Sequence, residues 1–112
     1  MGHVRVTYPT LTRNQVIERL RQGRASLKKR LPISKMVLYG SYAQDRHTAG
    51  SDIDVVIVYE GKERGDAYKL VVEEMNLPRL EPKIFTEEQF NTVIAQSPKF
   101  AETLRKDGAV IS

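Results

Sequence analysis

Residues 52–59, DIDVVIVY, restrict the architecture of this chain more than any other segment, because five of the eight are Val or Ile and no polar residue alternates with them after Asp54. A strand with one wet face alternates apolar and polar side chains, whereas an unbroken Val/Ile run is buried on both faces. Such a strand belongs in the middle of a sheet that has layers on both sides. The rest of the chain must therefore supply flanking strands and covering helices.

The remaining segments meet that demand. Thr12 followed by Gln15 is a capping box, and Leu11, Val16, Leu20, Leu27 and Leu31 form an imperfect helical stripe up to Pro32, weakened in its middle by Gly23. Residues 35–40 read as a short apolar strand, and residues 42–49 as a short helix followed by a loop. After a charged loop from Gly61 to Gly65, Asp66 is placed to cap a helix carrying Ala67, Leu70, Val71 and Met75, ended by Asn76 and Pro78. Residues 79–85, RLEPKIF, form a third strand in which Pro82 calls for an edge position or a bulge. Thr86 with Gln89 is a second capping box, opening a helix with Phe90, Val93 and Ile94. Ser97-Pro98 starts a last helix closed by Gly108. Residues 1–9 read as a strand or a loose arm. The expected fold is α/β (α+β), a small mixed sheet flanked by helices, in a single domain spanning residues 1–112.

Bulk properties narrow the function classes. The 112 residues suffice for one modest core. No apolar run approaches the roughly 20 residues of a membrane helix, and the N-terminus lacks a secretory pattern. Cysteine is absent, which removes disulfides and thiolate metal sites and fits a reducing cytoplasm. Six cationic residues lie between Arg19 and Arg30. No aromatics are interleaved with them, so a solvated helix face is the expectation and nucleic acid is not expected as the main partner.

The chemistry gathers between Gly40 and Asp54, GSYAQDRHTAGSDID. Residues two apart in a strand point to one side, so Asp52 and Asp54 aim two carboxylates at one point, a hard-oxygen pocket suited to Mg²⁺. Two such ions sharing carboxylates can activate a hydroxyl and bind a triphosphate, given a third acid from a neighbouring element. Glu81, at the start of the third strand, is the candidate. Gly40 ends the first strand where backbone can approach a ligand, and Ser41 adds a hydroxyl and a backbone N–H suited to an anion. Asp-x-Asp alone is a common tripeptide and Gly-Ser a common turn. Their spacing, with ten residues between Ser41 and Asp52, is what gives the pair weight. His47 is read as a solvated loop residue, Tyr39 as core packing, and Lys83 as facing either the site or solvent.

This pattern, VLYGSYAQDRHTAGSDIDVVIVY, resembles the nucleotidyltransferase superfamily related to DNA polymerase β, and most closely its minimal nucleotidyltransferases (MNT proteins). The resemblance implies Mg²⁺-dependent transfer of a nucleoside monophosphate, from ATP or another NTP, to an acceptor hydroxyl with release of pyrophosphate. It implies nucleotide binding by Gly40, Ser41 and Arg46, and two Mg²⁺ ions held by Asp52, Asp54 and Glu81 as catalytic and metal residues. One departure stands out. Family members often read Gly-Ser-x-Ala-Arg-Gly, and this chain has Gln44 and Asp45 at the last two positions, with Arg46 as the substitute base.

A chain this short leaves little room for an acceptor domain. Minimal members commonly pair with a helical HEPN protein, so the resemblance implies an antitoxin-like protein adenylyltransferase, in a homo- or hetero-oligomer. Two alternatives stay open: a binding antitoxin that acts by occlusion, and a small-molecule, aminoglycoside-type nucleotidyltransferase.

Overall fold

The computed structural model describes residues 10–112. The expectation of a strand or arm at residues 1–9 lies outside the described residues. In chain order the elements are α1 (Arg13–Leu27), β1 (Ile33–Tyr39), α2 (Gly40–Ala43), β2 (Ile53–Tyr59), α3 (Ala67–Met75), β3 (Leu80–Thr86), α4 (Glu87–Gln96), α5 (Pro98–Asp107) and β4 (Ala109–Val110). The strands form one sheet in the order β3-β2-β1-β4. β1 pairs antiparallel with β2 and with β4, and β2 pairs parallel with β3. The Val/Ile run is thus an inner strand, and Pro82 lies on an edge strand where its missing N–H costs least.

The two faces of the sheet are filled differently. On one, Met36, Leu38, Val55, Ile57 and Tyr59 join Val16, Leu20 and Leu27 of α1 and Leu70, Val71 and Met75 of α3 in the main core. Gly23 is what lets α1 and α3 approach: a Cβ there would meet Met75 Sδ at 2.6 Å and the Glu74 carbonyl oxygen at 3.1 Å. The residue that weakens the helix intrinsically is therefore a packing contact. The other face carries Val37, Val56 and Val58, and α4 and α5 cover it. Neither of these helices has a fully buried residue. An open groove of about 330 Å³ remains among Val37, Phe90, Ile94, Leu104 and Val110.

Both capping boxes are formed, Thr12 with Gln15 and Thr86 with Gln89. Asp66 occupies the N-cap of α3, but its side chain makes no capping bond. It pairs instead with the Arg64 guanidinium through two bonds of 3.1 and 2.9 Å. That pairing holds the Asp66 carboxyl below its usual range, the Arg64 hydrogen bond being the largest cause. Part of the cationic run from Arg19 to Arg30 is likewise committed, with Arg21 on Glu18 in α1 and Arg30, just after α1, on Glu73 and Glu74. β4 has no counterpart among the expected elements.

Candidate active site

Register builds the site. Tyr39 pairs with Asp54 across β1 and β2, and Asp54 pairs with Glu81 across β2 and β3. Because side chains alternate along each strand, these three lie on the face covered by α4 and α5, not on the main core face. They form its end row, and Val37, Val56 and Lys83 form the row behind. Asp52 sits just ahead of β2, about half exposed. The sheet therefore brings Asp54 and Glu81 to one edge of one face, and Asp52 is near enough for its charge to act on Asp54. Lys83, two residues after Glu81, faces the same side.

Gly40 closes this row from the β1 side. Its φ is +75°, a conformation that any Cβ makes costly, and a Cβ there would collide with Asp54 Oδ2. The backbone at the head of α2 is therefore pressed directly against one carboxylate. Ser41 follows in α2, and its carbonyl accepts the Arg46 N–H at 2.8 Å. This bond ties Arg46 to the turn through the backbone, with its side chain exposed.

The electrostatics are those of crowded acids. Burial first, then the neighbouring Asp52 and Glu81 charges, raises the Asp54 pKa, and Lys83 offsets part of this. The Tyr39 phenol is pushed up to about 12, mainly by burial and then by Asp54 and Glu81. Each shift records a place where added negative charge is unwelcome and a cation would be stabilised. The donor set is carboxylate oxygen, which suits a hard divalent ion. No three acidic, His or Cys side chains among the described residues stand close enough to hold an ion as they are.

The loop between the motifs carries the family departure. Asp45, where relatives often have Gly, has φ +58°. The backbone here adopts a left-handed turn on a residue with a Cβ. His47 corrects the solvated-loop expectation: its ring stacks on Tyr42 at 4.0 Å between centroids and 10° between planes, and its side chain is 12% exposed. Its Nδ1 is buried without a hydrogen-bond partner, with Asp45 Oδ1 at 3.9 Å. Tyr39 is not a main-core residue either, since its ring meets Phe100 of α5 edge-on at 5.7 Å.

Two neighbours of the site escaped the sequence reading. Phe100 reaches Tyr39 only through the docking of α5, which no local pattern encodes. Arg79 stands at the mouth of β3 with Nη1 4.0 Å from Asp52 Oδ1. A lone base two residues before the candidate acid was its one visible sign.

The four-stranded mixed sheet flanked by helices is the architecture of a nucleotidyltransferase fold. The nucleotidyltransferase domain family model matches residues 20–108, and the chain belongs to that family. A candidate protein adenylyltransferase from Methanocaldococcus jannaschii is 35% identical over 48 residues, which cover 43% of this chain and 49% of that protein. The match thus spans about half the length of that curated relative. The crystal structure of a candidate nucleotidyltransferase from Sulfolobus solfataricus superposes with a TM-score of 0.58 at 15% identity, covering 88% of this chain and 80% of the other. At that identity the likeness is one of fold.

Proposed function

We propose that this chain is a Mg²⁺-dependent protein adenylyltransferase, antitoxin-like, that transfers AMP from ATP to a hydroxyl of a helical HEPN-type partner. The observation that carries the reading is the Asp54–Glu81 register, with Asp52 two residues before Asp54 and Gly40 pressed on Asp54. Family membership supports a transferase acting on an NTP. The protein-acceptor reading draws on the archaeal relative.

In this reading Asp52, Asp54 and Glu81 hold the divalent metal, and Gly40 and Ser41 bind the terminal phosphates with Arg46 nearby. When bound, the metal neutralises charge on the triphosphate and favours the alkoxide form of the acceptor. The acceptor oxygen forms a bond to the α-phosphorus, the bond to the pyrophosphate oxygen breaks, and Glu81 takes up the hydroxyl proton. The chain's own contribution is alignment, and a cluster of carboxylates at which a cation would be stabilised.

The test is incubation with ATP labelled at the α-phosphate, Mg²⁺ and the partner protein. Label on the partner, lost in Asp52→Ala/Asp54→Ala, is the expected result. Binding to the partner without label under any metal would instead establish inhibition by occlusion. Label on an aminoglycoside in place of a protein would establish the small-molecule activity.

A further inference from the structure

Arg79 is bound to the segment around Asp52 at three points. Its backbone carbonyl accepts the Ile53 N–H at 2.8 Å. Its Nη1 donates to the Gly50 carbonyl at 3.2 Å and lies 4.0 Å from Asp52 Oδ1. These contacts bracket Asp52 at residues 50, 52 and 53. Asp52 itself precedes the first ladder residue of β2, so strand pairing alone does not fix it.

The backbone of Arg79 is also unusual, with φ +58°. A left-handed conformation is costly for any residue with a Cβ, and glycine would occupy it freely. The ion pair does little to recover that cost, because both side chains are more than half exposed and such pairs contribute little to stability. An arginine at a position better suited to glycine points to a role for its side chain, and that side chain leads to the Gly50 carbonyl and towards Asp52.

We propose that Arg79 is a positioning residue that holds the Gly50–Asp52 segment so that Asp52 offers a fixed oxygen to the divalent metal. Groups that orient a metal-binding side chain typically set metal affinity by 10- to 100-fold, and Arg79 would act on Asp52 through its hydrogen bond to the Gly50 carbonyl and its nearby charge. The guanidinium brings one nitrogen, Nη1, to the Gly50 carbonyl while placing a permanent charge 4.0 Å from the carboxylate. The inference rests on the reading of Asp52 as a metal-holding residue.

Charge and positioning predict opposite signs here, which makes the test decisive. Removing a cation 4.0 Å from Asp52 would, by Coulomb attraction alone, tighten metal binding. Removing a positioning clamp would weaken it. The experiment is calorimetric titration of the full chain with Mn²⁺, comparing wild type, Arg79→Gly and Arg79→Lys, alongside thermal melts. Arg79→Gly is expected to melt at or above the wild-type temperature, because glycine suits φ +58°, and to bind Mn²⁺ about 10-fold more weakly. Arg79→Lys should recover only part of that loss. Equal or tighter Mn²⁺ binding by Arg79→Gly overturns the proposal while leaving the metal reading of Asp52 intact. A wild-type chain that binds no Mn²⁺ overturns both.

Discussion

Gly40 and Asp54 are in direct contact, closely enough that a single added methyl at Gly40 would overlap the Asp54 carboxylate oxygen. A backbone turn and a candidate metal-holding acid, fourteen positions apart in the chain, are thereby brought side by side. That contact ties the two halves of the motif more firmly than their spacing alone.

Gly40→Ala should therefore be damaging in two ways. The φ of +75° costs about 1–2 kcal/mol for a residue with a Cβ, which in a protein of this size lowers the melting temperature by roughly 4–8 °C per kcal/mol. The new methyl also displaces Asp54, so nucleotide transfer should fall by about 100-fold or more, beyond what partial unfolding explains. Thermal melts and initial rates on the same preparation separate the two effects.

Asp45→Gly should act in the opposite direction. Asp45 holds φ +58°, and glycine removes that strain while restoring the residue common in the family. A rise in melting temperature of a few degrees is expected, with transfer activity retained. A fall in stability would mean that the Asp45 side chain, 3.9 Å from His47, contributes more than its backbone costs.

The raised Asp54 pKa makes its charge unfavourable in the folded protein without metal. The sign follows from linkage: the folded state holds the proton more tightly than the unfolded chain, so the contribution to stability is full below the unfolded carboxylate pKa. It is lost as pH rises through the folded value. Asp54→Asn should thus melt above wild type at pH 7 without metal, and the gap should close near pH 4 and below. Added Mg²⁺ should raise the wild-type melting temperature and leave that of the variant unchanged.

Glu81→Gln keeps the shape of the third acid and removes its charge. Transfer should drop by about 100-fold or more, since proton acceptance and metal holding are both lost. Fold stability should stay within about 0.5 kcal/mol, because Glu81 is exposed at the sheet edge. Full activity in this variant would remove Glu81 from the site and turn attention to Lys83 and Arg79 beside it.

Much of this geometry was legible in the chain itself. The Val/Ile run identified the inner strand, Pro82 marked the edge strand, and both Thr-x-x-Gln capping boxes formed where they stood. These signals are local: periodicity, a missing donor, a side chain that bonds its own helix. β4 was not legible because two residues carry no period, and only pairing with Val37 and Leu38 makes Ala109–Val110 a strand. The His47–Tyr42 stack, the Phe100–Tyr39 contact and the Arg79 clamp all depend on how elements meet in space. Gly23 shows the converse, because propensity reads it as a weakness while packing against Met75 makes it a requirement.

The central claim is the class of transfer, and the position of the label decides it. Parallel reactions with ATP labelled at the α- or the γ-phosphate, in the presence of Mg²⁺ and the partner protein, separate the outcomes. The account predicts α-label on the partner and γ-label in pyrophosphate. γ-Label on the partner, or release of ADP, would contradict it.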